Sequence, residues 1–204
     1  MLHITIGPMY AGKTTKLMEF YDKEKGVILD YDIKQQEKCY KGHIINHNDV
    51  SLQCIKCTQL MDTLSIYKVQ YNFQLCHDNV SVFDNSIDPI LNKEFYSIHD
   101  DIIYSKNIYI NEAQFFPDLK EFVCKLLDQN KHIYIFGLDG DFQQNKMGQI
   151  FDLIPFCDSI VKLNSKCKYC YNNAIFSHRI TNDKQQYLPD EDAYIPLCRT
   201  CFRK

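Results

Sequence analysis

A chain of 204 residues with 45% apolar residues is long enough for one α/β domain with a small appendage, and its apolar share is ample for a core. Its 23 Lys/Arg against 26 Asp/Glu leave a net charge of −3, too weak and of the wrong sign for a dedicated nucleic-acid binder, which carries a basic face. No apolar run approaches the roughly 18 residues of a membrane helix. No export signal precedes the first motif, so a cytoplasmic protein without membrane or nucleic-acid partners is expected.

Leu2-His3-Ile4-Thr5-Ile6 is a short β-branched run that reads as a strand, and Lys16-Leu17-Met18-Glu19-Phe20-Tyr21 reads as a helix start. Between them lies Gly7-Pro8-Met9-Tyr10-Ala11-Gly12-Lys13-Thr14. A strand, then G-x-x-x-x-G-K-T, then a helix is the context that a phosphate-binding P-loop requires. Its glycines let backbone N–H groups converge on phosphate oxygens, and the helix N-terminus adds the positive end of its dipole. Lys13 is placed to reach the β- and γ-phosphates and Thr14 to ligate Mg²⁺, so ATP with Mg²⁺ is the expected ligand.

The first helix is expected to end near Lys25-Gly26, with Gly26 as its stop. Val27-Ile28-Leu29 reads as a buried parallel strand, Asp32 to Asn48 as a long polar loop or flap, and Ser51 to Thr58 as a further strand. Residues 68–105 are the least readable part; Val80-Ser81-Val82-Phe83 looks like a strand, and Asp84 to Pro89 like a turn leading into a helix. Asn107-Ile108-Tyr109-Ile110 is a buried strand running into Asn111-Glu112-Ala113-Gln114-Phe115-Phe116. Pro117 to Gln129 has apolar residues at helical spacing, with Pro117 in the first turn, and His132 to Phe136 is the next strand, closed by Gly137. Alternating strands and helices predict a parallel sheet with right-handed crossovers and ligands at the carboxyl ends of its strands. Gly7, Glu112 and Leu138-Asp139 all fall there.

Ten cysteines in an ATP-using chain suggest metal ligands in a reducing compartment rather than disulfides. Cys167-x2-Cys170 and Cys198-x2-Cys201, with residues 171–197 between them, resemble a zinc ribbon with a somewhat long spacer. Four thiolates leave no open ligand position, so the expected Zn²⁺ is structural. Cys54-x2-Cys57 with Cys76-His77 is a much weaker second set, since Cys54 and Cys57 read equally as packed strand residues; Cys39, Cys124 and Cys157 read as plain small apolar residues.

Together the P-loop, Glu112-Ala113-Gln114-Phe115-Phe116-Pro117-Asp118, Leu138-Asp139-Gly140-Asp141-Phe142-Gln143, Pro155 to Leu163 and the two cysteine knuckles resemble the type II thymidine kinases. That family is shared by animals, many bacteria and large DNA viruses. The resemblance implies a P-loop kinase domain over residues 1–163 and a zinc-ribbon lobe over 164–204 that carries the nucleoside-binding loop, with 68–105 as an unusual insertion. It implies transfer of phosphate from ATP to thymidine, with Glu112 as general base and Lys13 as the second catalytic residue. Asn111 and Gln114 would join Gly7 to Thr14 around ATP and Mg²⁺. Met9, Phe115, Leu138, Phe142, Ser177, Tyr187, Leu188 and Tyr194 would surround the nucleoside, the base being held largely by backbone groups between Gln185 and Tyr194. Family members are typically homotetramers. On residue chemistry alone Glu112 also fits a base, since a nucleoside 5′-hydroxyl needs a carboxylate to orient it and take its proton, whereas Phe115 and Phe142 read as core as readily as pocket.

The chain departs from the family at several points. Asn111 stands where an Asp usually precedes the Glu, which predicts weaker metal binding. Asp32-Ile33-Lys34-Gln35-Gln36 lacks the arginine of the family's Asp-x-Arg element, and Lys34 offers a point charge without a bidentate fork. Leu188-Pro189-Asp190-Glu191 replaces a Gly pair, and Pro189 has no N–H to offer the base. These departures leave open a kinase of altered base preference, or a weakly active nucleotide-binding relative that acts through a partner.

Overall fold

The computed structural model describes residues 1–34, 39–64 and 98–204. Strands β1 (Leu2–Gly7), β2 (Val27–Tyr31), β3 (Cys39–Ile45), β4 (Ser51–Cys57), β5 (Asn107–Asn111), β6 (His132–Leu138) and β7 (Ser159–Lys162) form one sheet in the order β3-β4-β2-β5-β6-β1-β7. Every neighbouring pair is parallel except β3–β4. This is the α/β, parallel-dominated sheet expected from the sequence.

Side-chain alternation along the central strands divides the core between two faces. Ile108, Ile110, Ile133 and Ile135 face one side with Phe116, Phe122, Val123 and Leu126. Tyr109, Tyr134 and Phe136 face the other with Leu17 and Met18. Helix α1 (Lys13–Lys23) covers the second face, and helix α2 (Leu119–Asp128) covers the first. Residues 98–104 are helical as well, with Ile98 and Ile102 buried in the same cluster as α2, so this end of the hard-to-read segment belongs to the main core. The buried amine of Lys131 donates to the carbonyls of Ile103 and Ser105 at that helix's end.

Several local expectations change. Residues 39–45, expected within a polar loop, form β3, the antiparallel edge of the sheet. Helix α2 begins at Leu119, leaving Pro117 outside it; the carboxylate of its N-cap, Asp118, accepts from the N–H groups of Leu60 and Met61 instead of capping. The first helix ends at Lys23, and Gly26 is needed for close packing: a Cβ there would lie 2.2 Å from the Asn107 carbonyl oxygen. In the sheet, β6 stands between β1 and β5. The strand expected at 80–83 and the turn and helix start at 84–89 lie outside the described residues.

Beyond the large sheet, β8 (Ser165–Lys166) pairs with β9 (Asn173–Ala174), and β10 (Phe176–Arg179) pairs with β11 (Tyr194–Leu197). A short helix, α3 (Arg199–Phe202), follows. Among the described residues, no helix is long and apolar enough to cross a membrane.

Candidate functional site

A cleft of about 570 Å³ opens at the carboxyl ends of the strands, between the 9–15 loop, β3 and Tyr187. Tyr10 and Gly12 both have left-handed backbone, at φ 62° and 77°, and Gly12 caps α1. Such turns make a concave row of N–H groups at a helix N-terminus, which suits an anion. Lys13, buried in the first turn of α1, donates from Nζ to the Pro8 carbonyl at 2.9 Å and more weakly to that of Gly7 at 3.3 Å. Met9, Tyr10, Ala11, Gly12, Lys13 and Thr14 line the cleft. Gly7 is fixed by packing, because a Cβ would meet the Leu163 carbonyl oxygen at 2.7 Å.

Across the cleft, β5 ends at Asn111, and Glu112 follows it at the start of a tight turn. Glu112 has φ 48°, a conformation that costs a non-glycine residue of order 1 kcal/mol or more and persists only where its surroundings enforce it. Its Oε2 accepts from Gln114 Nε2 at 2.6 Å, while Gln114 Oε1 accepts from the Leu138 N–H at 3.0 Å. Gln114 thus bridges the ends of β5 and β6, and both ends of its amide are engaged within the protein. Lys34 and Lys56 also line the cleft, where the sequence lacks an arginine.

The residues expected around a nucleoside do not form one continuous wall. Met9, Leu138 and Tyr187 line the large cleft. Phe115 packs edge-on against Tyr187, with ring centroids 4.5 Å apart, and faces a second cleft of about 360 Å³ with Gln114, Met147, Gln186 and Pro189. Phe142 lies under the guanidinium of Arg179, 3.9 Å from ring centre to Cζ. Tyr194 is buried; its hydroxyl accepts from Arg179 and from the Leu188 N–H at 2.9 Å. Ser177 Oγ accepts from the Met9 N–H at 2.9 Å, tying β10 to the P-loop.

Arg179 was not singled out in the sequence. It is 5% exposed and donates to the carbonyls of Asp183, Gln185 and Gln186, which gathers the 180–190 loop around one guanidinium. Gln186 Nε2 then reaches Asp141 Oδ2 at 3.1 Å, closing the loop against the end of the large sheet. Nothing in Phe176-Ser177-His178-Arg179 marks it in advance, since this strand buries its polar residues Ser177 and Arg179.

The ligand atoms of Cys167, Cys170, Cys198 and Cys201 lie within 4.8 Å of one another, with Cys170–Cys198 and Cys170–Cys201 sulfur separations of 3.5 and 3.6 Å. Disulfide sulfurs sit about 2.05 Å apart, whereas thiolates around a tetrahedral Zn²⁺ at about 2.3 Å lie nearly 3.8 Å apart, so the donor set fits zinc. Burial pushes the Cys167 thiol up, but backbone N–H groups of Cys198, Tyr169 and Cys170 outweigh it and bring it to about 6. Cys54 and Cys57 of the weaker set sit in different core clusters on opposite faces of β4, and Cys76 and His77 lie outside the described residues.

The thymidine kinase family model matches residues 70–202. A rice (Oryza sativa subsp. japonica) thymidine kinase is 30% identical over 204 residues, covering 97% of this chain and 64% of the rice protein. The thymidine kinase of sheeppox virus strain KS-1 is 29% identical over 203 residues, covering 98% of this chain and 96% of its own. The cytosolic thymidine kinase of Gallus gallus is 26% identical, over 98% of this chain and 76% of its own. With a P-loop, a carboxylate facing it across one cleft and a four-cysteine cluster behind, this match over most of the sequence means that the chain belongs to the thymidine kinase family.

Proposed function

We propose that the chain transfers the γ-phosphoryl group of ATP to the 5′-hydroxyl of thymidine, in line, with Glu112 as general base. The observation that carries this reading is the placement of Glu112 in the same cleft as Lys13 and Thr14, its carboxylate held by Gln114. The 9–12 loop and the N-terminus of α1 cradle the phosphates, and Lys13 neutralises charge on the β- and γ-phosphates. Thr14 and Asn111 hold Mg²⁺ and its waters; the ion, when bound, screens charge on the transferring group. Glu112 takes the proton of the 5′-hydroxyl as its oxygen bonds to phosphorus, and the bond to the β–γ bridging oxygen breaks to leave ADP. Met9, Leu138 and Tyr187 orient the nucleoside, and the four cysteines hold a structural Zn²⁺ that keeps the nucleoside-side loop in place. The same reading makes the protein cytoplasmic and a homotetramer. The exposed apolar side chains of Ile154, Phe156, Ile160 and Val161 at and before edge strand β7 support association of copies, which sedimentation tests.

Glu112→Gln keeps the shape and removes the base. ATP and thymidine binding by calorimetry should stay near wild type, while kcat falls about 10²–10⁴-fold. Near-normal turnover would remove Glu112 from this role. One observation favours an altered base preference as the second reading: the Leu188 N–H is taken by Tyr194, and Pro189 has none. A panel of deoxynucleosides offered with Mg-ATP separates the two, since the first reading expects thymidine monophosphate as the main product.

A further inference from the structure

The next-to-last residue of strand β2, Asp30, is a carboxylate that the family reading leaves without a role. Register sets Asp30 opposite Asn111 of β5 on one side and Lys56 of β4 on the other. Asp30 is 4% exposed. Its Oδ1 accepts from Asn111 Nδ2 at 2.8 Å, and its Oδ2 accepts from Lys56 Nζ. All three residues line the cleft with Lys13, Thr14 and Glu112. An ionised carboxylate only accepts hydrogen bonds, so the Asn111 amide is held with Nδ2 toward Asp30, leaving Oδ1 as the acceptor it offers to the cleft. Lys56 sits on the far side of Asp30 from β5, so the negative end of this ion pair faces Asn111. Burial would lower the Lys56 ammonium; the Asp30 carboxylate outweighs it and keeps the amine charged.

P-loop enzymes hold Mg²⁺ with the loop Ser/Thr and a nearby aspartate. Here the residue before Glu112 is an amide, and the nearest carboxylate in register is one strand further on. We propose that Asp30 is the positioning residue of the Mg²⁺ site: it fixes the Asn111 amide so that Oδ1 meets a metal-bound water, and it supplies the negative charge that position 111 lacks. This rests on the P-loop being an Mg-ATP site. Metal ligands are commonly oriented in this way by a hydrogen-bonded carboxylate behind them. The arrangement also gives Lys56 a part, as the cation paired with a deeply set carboxylate.

The test titrates Mg²⁺ against binding of a fluorescent ATP analogue, with thermal melting as a check on folding. In Asp30→Asn, metal-free binding should be unchanged and the Mg²⁺ needed for half-saturation should rise about 10–100-fold. The exchange variant Asp30→Asn with Asn111→Asp should return toward wild type, since one carboxylate and one amide again share the site; failure to recover overturns the proposal. If Asp30→Asn does not fold, Asp30→Glu keeps the charge but moves it by one methylene group, and a severalfold rise is expected. An unchanged Mg²⁺ requirement in whichever variant folds overturns the role of Asp30 and leaves the Mg-ATP reading standing. A wild-type protein whose analogue binding is indifferent to Mg²⁺ overturns both.

Discussion

At the scale of single residues, Gln114 shows how a buried amide can set the geometry of a reacting group. Both ends of its side chain are spent, one on Glu112 and one on the Leu138 N–H. Gln114→Leu is close in size and removes both bonds. The stranded Leu138 N–H should cost about 1–3 kcal/mol of stability, and kcat should fall about tenfold or more as Glu112 loses its orientation, with ATP binding unchanged. Gln114→Glu tests the electrostatics. It preserves the acceptor for Leu138 but sets a second carboxylate against Glu112, and two carboxylates sharing a site raise one pKa. A base must be ionised to act, so the acid limb of the kcat/KM profile should move to higher pH than in wild type, with activity recovering as pH rises. A profile superimposable on wild type would show that the two side chains are not in contact during turnover. Residues at this scale were legible where a motif names them: Lys13, Glu112 and the four cysteines. Gln114 was named only as a residue near ATP and Mg²⁺, not as the holder of Glu112 and Leu138, and Asp30 was not named at all, because Leu138 and Asn111 lie 24 and 81 residues from them in sequence and only the register of the sheet brings them together.

At the scale of elements, legibility followed burial. β5 and β6 are apolar runs buried from both faces and read directly as strands. β3 did not, because its exposed positions carry Lys41, His43 and Ile45 around Gly42, the mixed composition of an edge strand. Gly42 is there for packing, since a Cβ would meet Lys56 Cγ at 2.8 Å. The 180–190 loop was legible only as a region, since what organises it is a side chain outside it. Arg179 stacks on Phe142 and forks onto three loop carbonyls. Lysine has one rotatable ammonium and no planar face, so Arg179→Lys keeps the charge and loses the arrangement. The loop should then be cut faster between residues 183 and 190 in limited proteolysis. Thymidine KM should rise about tenfold (about 1.4 kcal/mol) while ATP KM stays put. Equal changes in both KM values would place the damage in the P-loop side of the cleft instead.

At the scale of the whole molecule, the four-cysteine lobe and the P-loop domain are joined by hydrogen bonds and ring contacts. The lobe's buried apolar cluster is only Cys167, Ala174, Leu197 and Cys198, with Ile195, Cys201 and Phe202 against it. A core of that size is too small to stand without a staple, and metal binding is then folding free energy for this part of the chain. The large sheet has its own core on both faces and draws nothing from the cluster. Between them run the Met9 N–H to Ser177 Oγ bond, the Ser165 hydroxyl to the Tyr10 carbonyl at 3.0 Å, the Gln186–Asp141 bond, and the contacts of Arg179 with Phe142 and of Tyr187 with Phe115. Two of these end on the P-loop itself, so loosening the lobe should be felt at the nucleotide as well as at the nucleoside, but unequally. Chelation, or Cys198→Ser, should abolish thymidine binding first, as the loop between β10 and β11 loses its base. ATP binding should weaken only severalfold, because the backbone of residues 9–12 keeps its fold from β1 and α1. The far-UV circular dichroism and the main thermal transition should persist. If chelation instead melts the whole protein in one step, the lobe is part of the same cooperative unit as the sheet, and Ser177 and Ser165 carry more of the stability than their hydrogen bonds suggest.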